Sequence, residues 1–228
     1  MTPSATVTTA LWRRTLAEFL GTGLLVTVVV GSGIAAAQLS PGDTGLELLE
    51  NSLATALGLA VLILLFAPIS GAHFNPVVTL VDAVLGGRPW REVPAFLVAQ
   101  FAGAIGGSVL ANAMFGVGTA LSTTERASAG HLLGEVVATA GLVLLIFVLA
   151  RTTHSLAVAP AVGAYIGAAY WFTSSTSFAN PAVTIGRVFT DTFAGIAPGS
   201  TPGFLGAQLV GAAVGLGLLL LLLPPRKA

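Results

Sequence analysis

The sequence predicts an all-α membrane protein with six transmembrane helices and two re-entrant half-helices in an inverted repeat. Three observations carry that expectation. The 228 residues are 55% hydrophobic and 8% charged, with mean hydropathy +0.93, whereas about a quarter of a soluble domain is charged. Six apolar runs approach the roughly 20 residues that a helix needs to cross a bilayer. Two shorter apolar runs, each opening on Asn-Pro, occupy matching places in the two halves.

The first run, about 12–37, follows Trp12-Arg13-Arg14. It is too long for the roughly 7 to 15 apolar residues of a signal peptide and more spans follow, so it reads as a retained first helix. The second span is expected at 51–69. Ser70-Gly71-Ala72-His73-Phe74 then leads into a short apolar piece at 75–86 that starts with Asn75-Pro76-Val77. Asparagine is a favoured N-cap and proline at the first helical position needs no donor, so Asn-Pro marks a helix start. The piece is about half a span long. Its non-helical lead-in is tolerated at membrane depth only where protein buries it or it lines a watery cavity. Spans at 94–115, 131–150 and 157–174 follow; residues 173–179 lead into a second half-helix at 180–190, opening on Asn180-Pro181-Ala182, and a last span covers 203–223. The connecting stretches are richer in Gly, Pro or charge, as turns are.

The halves echo one another. "PAFLVAQFAGAIGG" at 94–107 and "PGFLGAQLVGAAVG" at 202–215 share residues at fixed offsets, and "AEFLGTG" at 17–23 echoes "GEVVATAG" at 134–141. Each half reads span, span, half-helix, span, so three spans per half invert the second copy. The chain is read as one transmembrane domain over 1–228, with repeats at about 11–116 and 130–223. Inversion brings the two Asn-Pro starts tip to tip near the midplane, with two positive helix ends aimed at one spot.

Nine Lys+Arg balance nine Asp+Glu and cysteine is absent. No basic tract suits nucleic acid, and disulfides and cysteine-held metals are excluded. His131 and His154 have no metal-site spacing, no nucleophile, base and orienter group together, and no enzyme activity or cofactor is expected. Arg13, Arg14, Arg88, Arg91, Arg151, Arg226 and Lys227 fall on the face shared by the termini, with Arg126 and Arg187 as exceptions. The positive-inside rule therefore places both termini in the cytoplasm of a multi-pass inner-membrane protein.

The asparagine amides of Asn75 and Asn180 are expected to face the pore as donors that a passing water or hydroxyl satisfies with its oxygen; a plainer reading makes each only an N-cap, and the inverted duplication favours the pore. Glu18 and Glu135 are costly at membrane depth and should face the interior, bonded to backbone N–H groups of the re-entrant loops rather than moving protons. His73 is expected to be a satisfied structural group rather than a pH gate. Gly103, Gly107, Gly211 and Gly215 form small-xxx-small patterns suited to close helix crossing.

These residues resemble the aquaporin, or major intrinsic protein, family over about Leu11 to Leu223. The resemblance rests on Glu18 in "AEFLGT", Ser70 to His73 before Asn75-Pro76-Val77, Gln100 in "AQFAGA", Glu135 in "GEVVAT", and Asn180-Pro181-Ala182. It implies a homotetramer with one pore per protomer; aquaporins are themselves the standing example of proton and cation exclusion by such an arrangement.

The chain also departs from the family pattern. Val77 stands in place of the usual alanine. Val183 stands where most members carry a filter arginine, and spacing from the two asparagines puts the other filter positions at Thr55, Ala168 and Ser177. Phe172 and Phe178 are candidates to intrude on that ring. Arg187, four residues beyond Val183, is read as a vestibular substitute for the missing charge, as a cation capping the half-helix C-terminus, or as a partner of Asp191 at i+4. A small, uncharged ring implies passage of water, glycerol and other small neutral solutes. The motif set resembles bacterial members linked to arsenic resistance, which implies passage of trihydroxy-arsenic. The alternatives are a water-selective pore, a secondary transporter or an anion channel on a similar fold, or a purely structural membrane protein.

Overall fold

A computed structural model describes residues 9–151 and 157–223. His154, Arg226 and Lys227 lie outside the described residues. Eight helices are seen among those described: α1 (Leu11–Leu39), α2 (Thr44–Ser70), α3 (Pro76–Val84), α4 (Val93–Met114), α5 (Ala129–Arg151), α6 (Val158–Phe172), α7 (Pro181–Gly186) and α8 (Thr201–Leu222). Five helical stretches among the described residues are long and apolar enough to cross a membrane, while α6 has 15 described residues. The order span, span, half-helix, span thus recurs in both halves.

Local chemistry sets the ends. The Asp43 carboxylate accepts from the N–H of Leu46 at 3.0 Å and caps α2, which ends on Gly71 in the left-handed region at φ 95°, a conformation glycine adopts without side-chain strain. The side-chain oxygens of Asn75 and Asn180 cap α3 and α7, accepting from Val77 N–H at 3.1 Å and from Ala182 N–H at 2.9 Å. Pro76 and Pro181 fill the first helical position of each.

The halves are built on two equivalent close pairs, α1 against α4 and α5 against α8. A Cβ at Gly103 or Gly107 would come within 2.3 or 2.2 Å of the carbonyl oxygen of Phe19 or Gly23, and at Gly211 or Gly215 within 2.6 Å of that of Val136 or Ala140. The repeated glycines are therefore what lets these backbones touch. Between the halves, α2 meets α6 at Gly163, whose Cβ would lie 2.4 Å from Ala56 O. Gly107→Ala is expected to lower the melting temperature of the detergent-purified protein, because that contact is with backbone that cannot swing away, at a cost of about 1 to 3 kcal/mol. Gly106, whose Cβ would have nothing within 4 Å, is the control, and equal effects of Ala at 106 and 107 would contradict the close-crossing role.

Candidate functional site

The two re-entrant loops have matching backbone paths. Ala72 and Phe74 before Asn75, and Ser177 and Ala179 before Asn180, have φ of 51°, 50°, 49° and 48°. Non-glycine residues there carry roughly 1 to 3 kcal/mol of strain each and persist only if their surroundings hold them. Two carboxylates do so. Glu18 accepts from the N–H of His73 (3.0 Å) and Phe74 (2.7 Å), from the Ser70 hydroxyl (2.6 Å) and from Gln100 Nε2 (2.8 Å). Glu135 accepts from the N–H of Phe178 (2.9 Å) and Ala179 (2.8 Å) and from Gln208 Nε2 (2.6 Å). Both glutamates are fully buried, and the expected bonding to loop backbone is what the geometry contains.

Each glutamine also reaches its half-helix. Gln100 Nε2 donates to Thr79 Oγ1 at 2.9 Å and Gln208 Nε2 to Thr184 Oγ1 at 2.8 Å, while the two threonine hydroxyls donate to the carbonyls of Asn75 and Asn180. The sequence reading passed over Thr79 and Thr184. Their signal was available: each sits four residues past its asparagine, where a hydroxyl bonds back to the i−4 carbonyl.

The half-helices meet as expected. Asn75 Nδ2 donates to Ala179 O and Asn180 Nδ2 to Phe74 O, both at 2.8 Å. One amide hydrogen of each asparagine thus ties the opposite loop, which fixes the side chain and leaves one hydrogen per residue for a solute. Asn180→Asp is expected to raise sodium and proton leak through proteoliposomes, because it removes that donor and sets a carboxylate oxygen against Phe74 O. Unchanged leak together with unchanged solute flux would place the centre of the pore elsewhere.

Three cavities share wall residues. The narrow middle, about 60 Å3, has room for a short file of about four to six waters. It is bordered by Asn75, Asn180, Thr55, Tyr170, Ser177 and Val183; most of the remaining wall is aliphatic, with Leu59, Ile63, Leu142 and Val162 among its residues. At one end it shares Arg187 with an outer vestibule of about 500 Å3. At the other it shares His73, Ile63 and Ile146 with an inner vestibule of about 420 Å3.

Of the four expected filter residues, Thr55, Ser177 and Val183 border the narrow cavity and are at least 96% buried. Ala168 does not: it is exposed on the outer face of α6. Tyr170 occupies the wall instead, its hydroxyl 3.2 Å from Thr55 Oγ1. Two residues along a helix is a rotation of about 200°, so the ungapped count pointed to the opposite face. Phe178 borders the cavity and Phe172 is 56% exposed.

Arg187 borders the outer vestibule and is the C-cap residue of α7, as two of its readings had it, but it is reached by a different turn. α7 ends at Gly186 and Arg187–Phe189 form a 3-10 turn, so the α-helical i+4 spacing does not carry through. Arg187 is 2% exposed, its guanidinium lies 3.5 Å from the Phe178 ring centroid, and its Nε donates to Ala194 O. It borders both the narrow cavity and the outer vestibule, at the constriction rather than wide of it. Asp191 does not pair with it, and instead accepts from the N–H and hydroxyl of Thr123 at 2.9 and 3.0 Å. Those bonds hold the exposed Asp191 carboxyl below the usual carboxylate range.

His73 Nδ1 lies 3.0 Å from Thr79 Oγ1 and Nε2 lies 3.5 Å from Asp82 Oδ2, so it has structural partners as expected while also bordering the inner vestibule. At that end Arg14 and Arg88 both meet Glu92, at 2.6 and 3.3 Å, so these two basic residues, which the charge count put on one face, do come together. Among the described residues no group of three or more His, Asp or Glu is placed to hold a metal.

The sequence profile described as "Major intrinsic protein" matches residues 5–177, ending just before Asn180. The chain is 50% identical over 218 residues to "Aquaglyceroporin AqpS" of Rhizobium meliloti (strain 1021), covering 95% of this chain and 93% of that protein. It is 39% identical over 101 residues to "Propanediol uptake facilitator PduF" of Citrobacter freundii, covering 44% of this chain and 36% of that one. In three dimensions it is similar to the X-ray structure of the aquaglyceroporin from Plasmodium falciparum, with TM-score 0.68 and 23% identity over 92% of this chain and 94% of that one, a likeness of fold.

Proposed function

Because the chain belongs to the major intrinsic protein family, and is therefore a multi-pass membrane channel rather than an enzyme, we propose that it is an aquaglyceroporin-like pore passing water, glycerol and neutral arsenicals. The observation that carries this reading is the narrow cavity itself. Its wall pairs a few donors and hydroxyls, those of Asn75, Asn180, Thr55, Tyr170 and Ser177 with Arg187 at the outer end, with aliphatic side chains. A polyol or a trihydroxy acid has hydroxyls for the first face and carbon or a bare centre for the second. Val183 puts two methyl groups where a cation would otherwise narrow the ring. Water and glycerol pass by the same route, whose central groups are the neutral amides of Asn75 and Asn180, whereas a secondary transporter normally offers a site for a coupling ion there. Similarity to a protein named as an aquaglyceroporin supports the glycerol part.

Both termini are assigned to the cytoplasmic side of the inner membrane, on the basis of Arg13, Arg14, Arg88 and Arg91. The family resemblance supports a homotetramer as part of this proposal. The test is a stopped-flow panel on proteoliposomes: water, glycerol and arsenite should each permeate faster than in protein-free vesicles, with no ionic current. Water permeation alone would make the pore water-selective, and a macroscopic anion current would replace the proposal with an anion channel.

A further inference from the structure

Arg126 and Arg187, the two exceptions to the charge count, come together. Their Cζ atoms lie 5.6 and 3.5 Å from the centroid of the same Phe178 ring, and both residues border the outer vestibule. Three successive carbonyls fix them. Arg126 Nη2 donates to Phe193 O at 2.9 Å and its Nε to Gly195 O at 2.7 Å, while Arg187 Nε donates to Ala194 O between them. Among the described residues no carboxylate lies within ion-pair distance of either. Asp191 shares the vestibule, but its Oδ1 accepts from the N–H and hydroxyl of Thr123 and its carboxylate is not within ion-pair distance of either arginine.

Two cations, the buried Arg187 and the half-buried Arg126, are therefore held by neutral carbonyls, although a buried charge is normally paired. Donors remain as well. Among the described residues Arg126 Nη1 and both terminal nitrogens of Arg187 have no acceptor, and none of the three is fully enclosed. Independently, among the described residues Ser177 Oγ is buried without a partner, and it borders the narrow cavity whose wall Arg187 shares. We propose that the outer vestibule is a binding site for a small monovalent oxyanion of the carboxylate type, held by Arg187 and Arg126 over the mouth of the pore. A guanidinium presents parallel N–H groups that match the two oxygens of a carboxylate. The vestibule, at about 500 Å3, admits such an ion with part of its hydration shell. The cavity beneath, at about 60 Å3 and walled largely by aliphatic side chains, cannot replace the remainder, so the anion docks and obstructs rather than passes.

The flux consequence rests on the channel reading above, but the binding does not, and the experiment separates them. Detergent-purified protein is titrated calorimetrically with sodium formate and with formamide, its neutral isostere, in a constant sodium chloride background. Saturable formate binding is expected, with none for formamide. Arg187→Gln should weaken formate binding about tenfold, the loss of one charge-assisted contact. Because Arg187 also holds the loop, Thr124→Glu is the second variant. Thr124 borders the vestibule, and a glutamate there supplies an internal carboxylate while leaving both arginines in place, so formate affinity should fall similarly. In proteoliposomes, formate on the vestibule side should slow glycerol entry and formamide should not. Equal behaviour of formate and formamide, or formate affinity unchanged in both variants, overturns the site. Formate binding with this variant pattern in a protein that passes no glycerol would uphold the site and overturn the channel reading.

Discussion

Val183→Arg is expected to cut glycerol and arsenite permeation by about tenfold or more, an added barrier of about 1.4 kcal/mol, while water permeation persists. Val183 is 4% exposed, and its N–H is held 3.3 Å from the Asn180 side-chain oxygen at the first turn of α7. That bond leaves the backbone little room to swing the side chain out of the wall. An arginine there extends several more atoms into a cavity of about 60 Å3, where the bulkier solute has no second path. It also places a third guanidinium near Arg187 and Arg126, so it must turn toward the open side, across the pore. A single file of water is thinner and can still pass. Stopped-flow light scattering on matched proteoliposomes gives the ratio of glycerol to water permeability. If that ratio is untouched, Val183 does not stand in the narrowest ring and the register assigned to α7 fails.

What the sequence made legible at this ring, and what it did not, has a physical explanation. The asparagines, their prolines and the paired glutamates could be placed because each is tied to a short local pattern: a cap, a first-turn proline, or a costly charge that must find loop N–H groups. The glycines of α4 and α8 could be placed because their four-residue spacing is itself the contact. Tyr170 could not. Residues 157–174 are apolar nearly all round, as a membrane helix must be, so no polar stripe marks the face toward the pore. The position then depended on counting through the irregular segment 173–179, where the left-handed residues Thr176, Ser177 and Ala179 change the rise per residue. The pairing of Arg187 with Asp191 did not form for a related reason, since α-helical spacing was extended past Gly186 into a 3-10 turn. The pairing of Arg126 with Arg187 over Phe178 depends on contacts spanning about sixty residues of chain, and no single-sequence pattern reports that.

Glu135→Leu is expected to give little or no folded protein. In the structure, one carboxylate satisfies the buried N–H groups of Phe178 and Ala179 and the amide of Gln208. Leucine fills similar space but accepts nothing, and each orphaned buried donor costs about 1 to 3 kcal/mol. The loss has a second part. Ala179, with φ 48°, is a left-handed non-glycine residue, and its N–H bond to Glu135 is part of what holds it there. Release of that strain lets the loop leave the conformation that aims Asn180 Nδ2 at Phe74 O, so the damage reaches the contact between the two halves. Several kcal/mol lost from a fold stabilised by about 5 to 15 kcal/mol should show as a sharp fall in monodisperse protein on size exclusion and in melting temperature. Glu135→Gln keeps one acceptor and should recover part of both. A well-folded Leu variant that permeates solutes normally but shifts its pH response would instead assign Glu135 to proton handling.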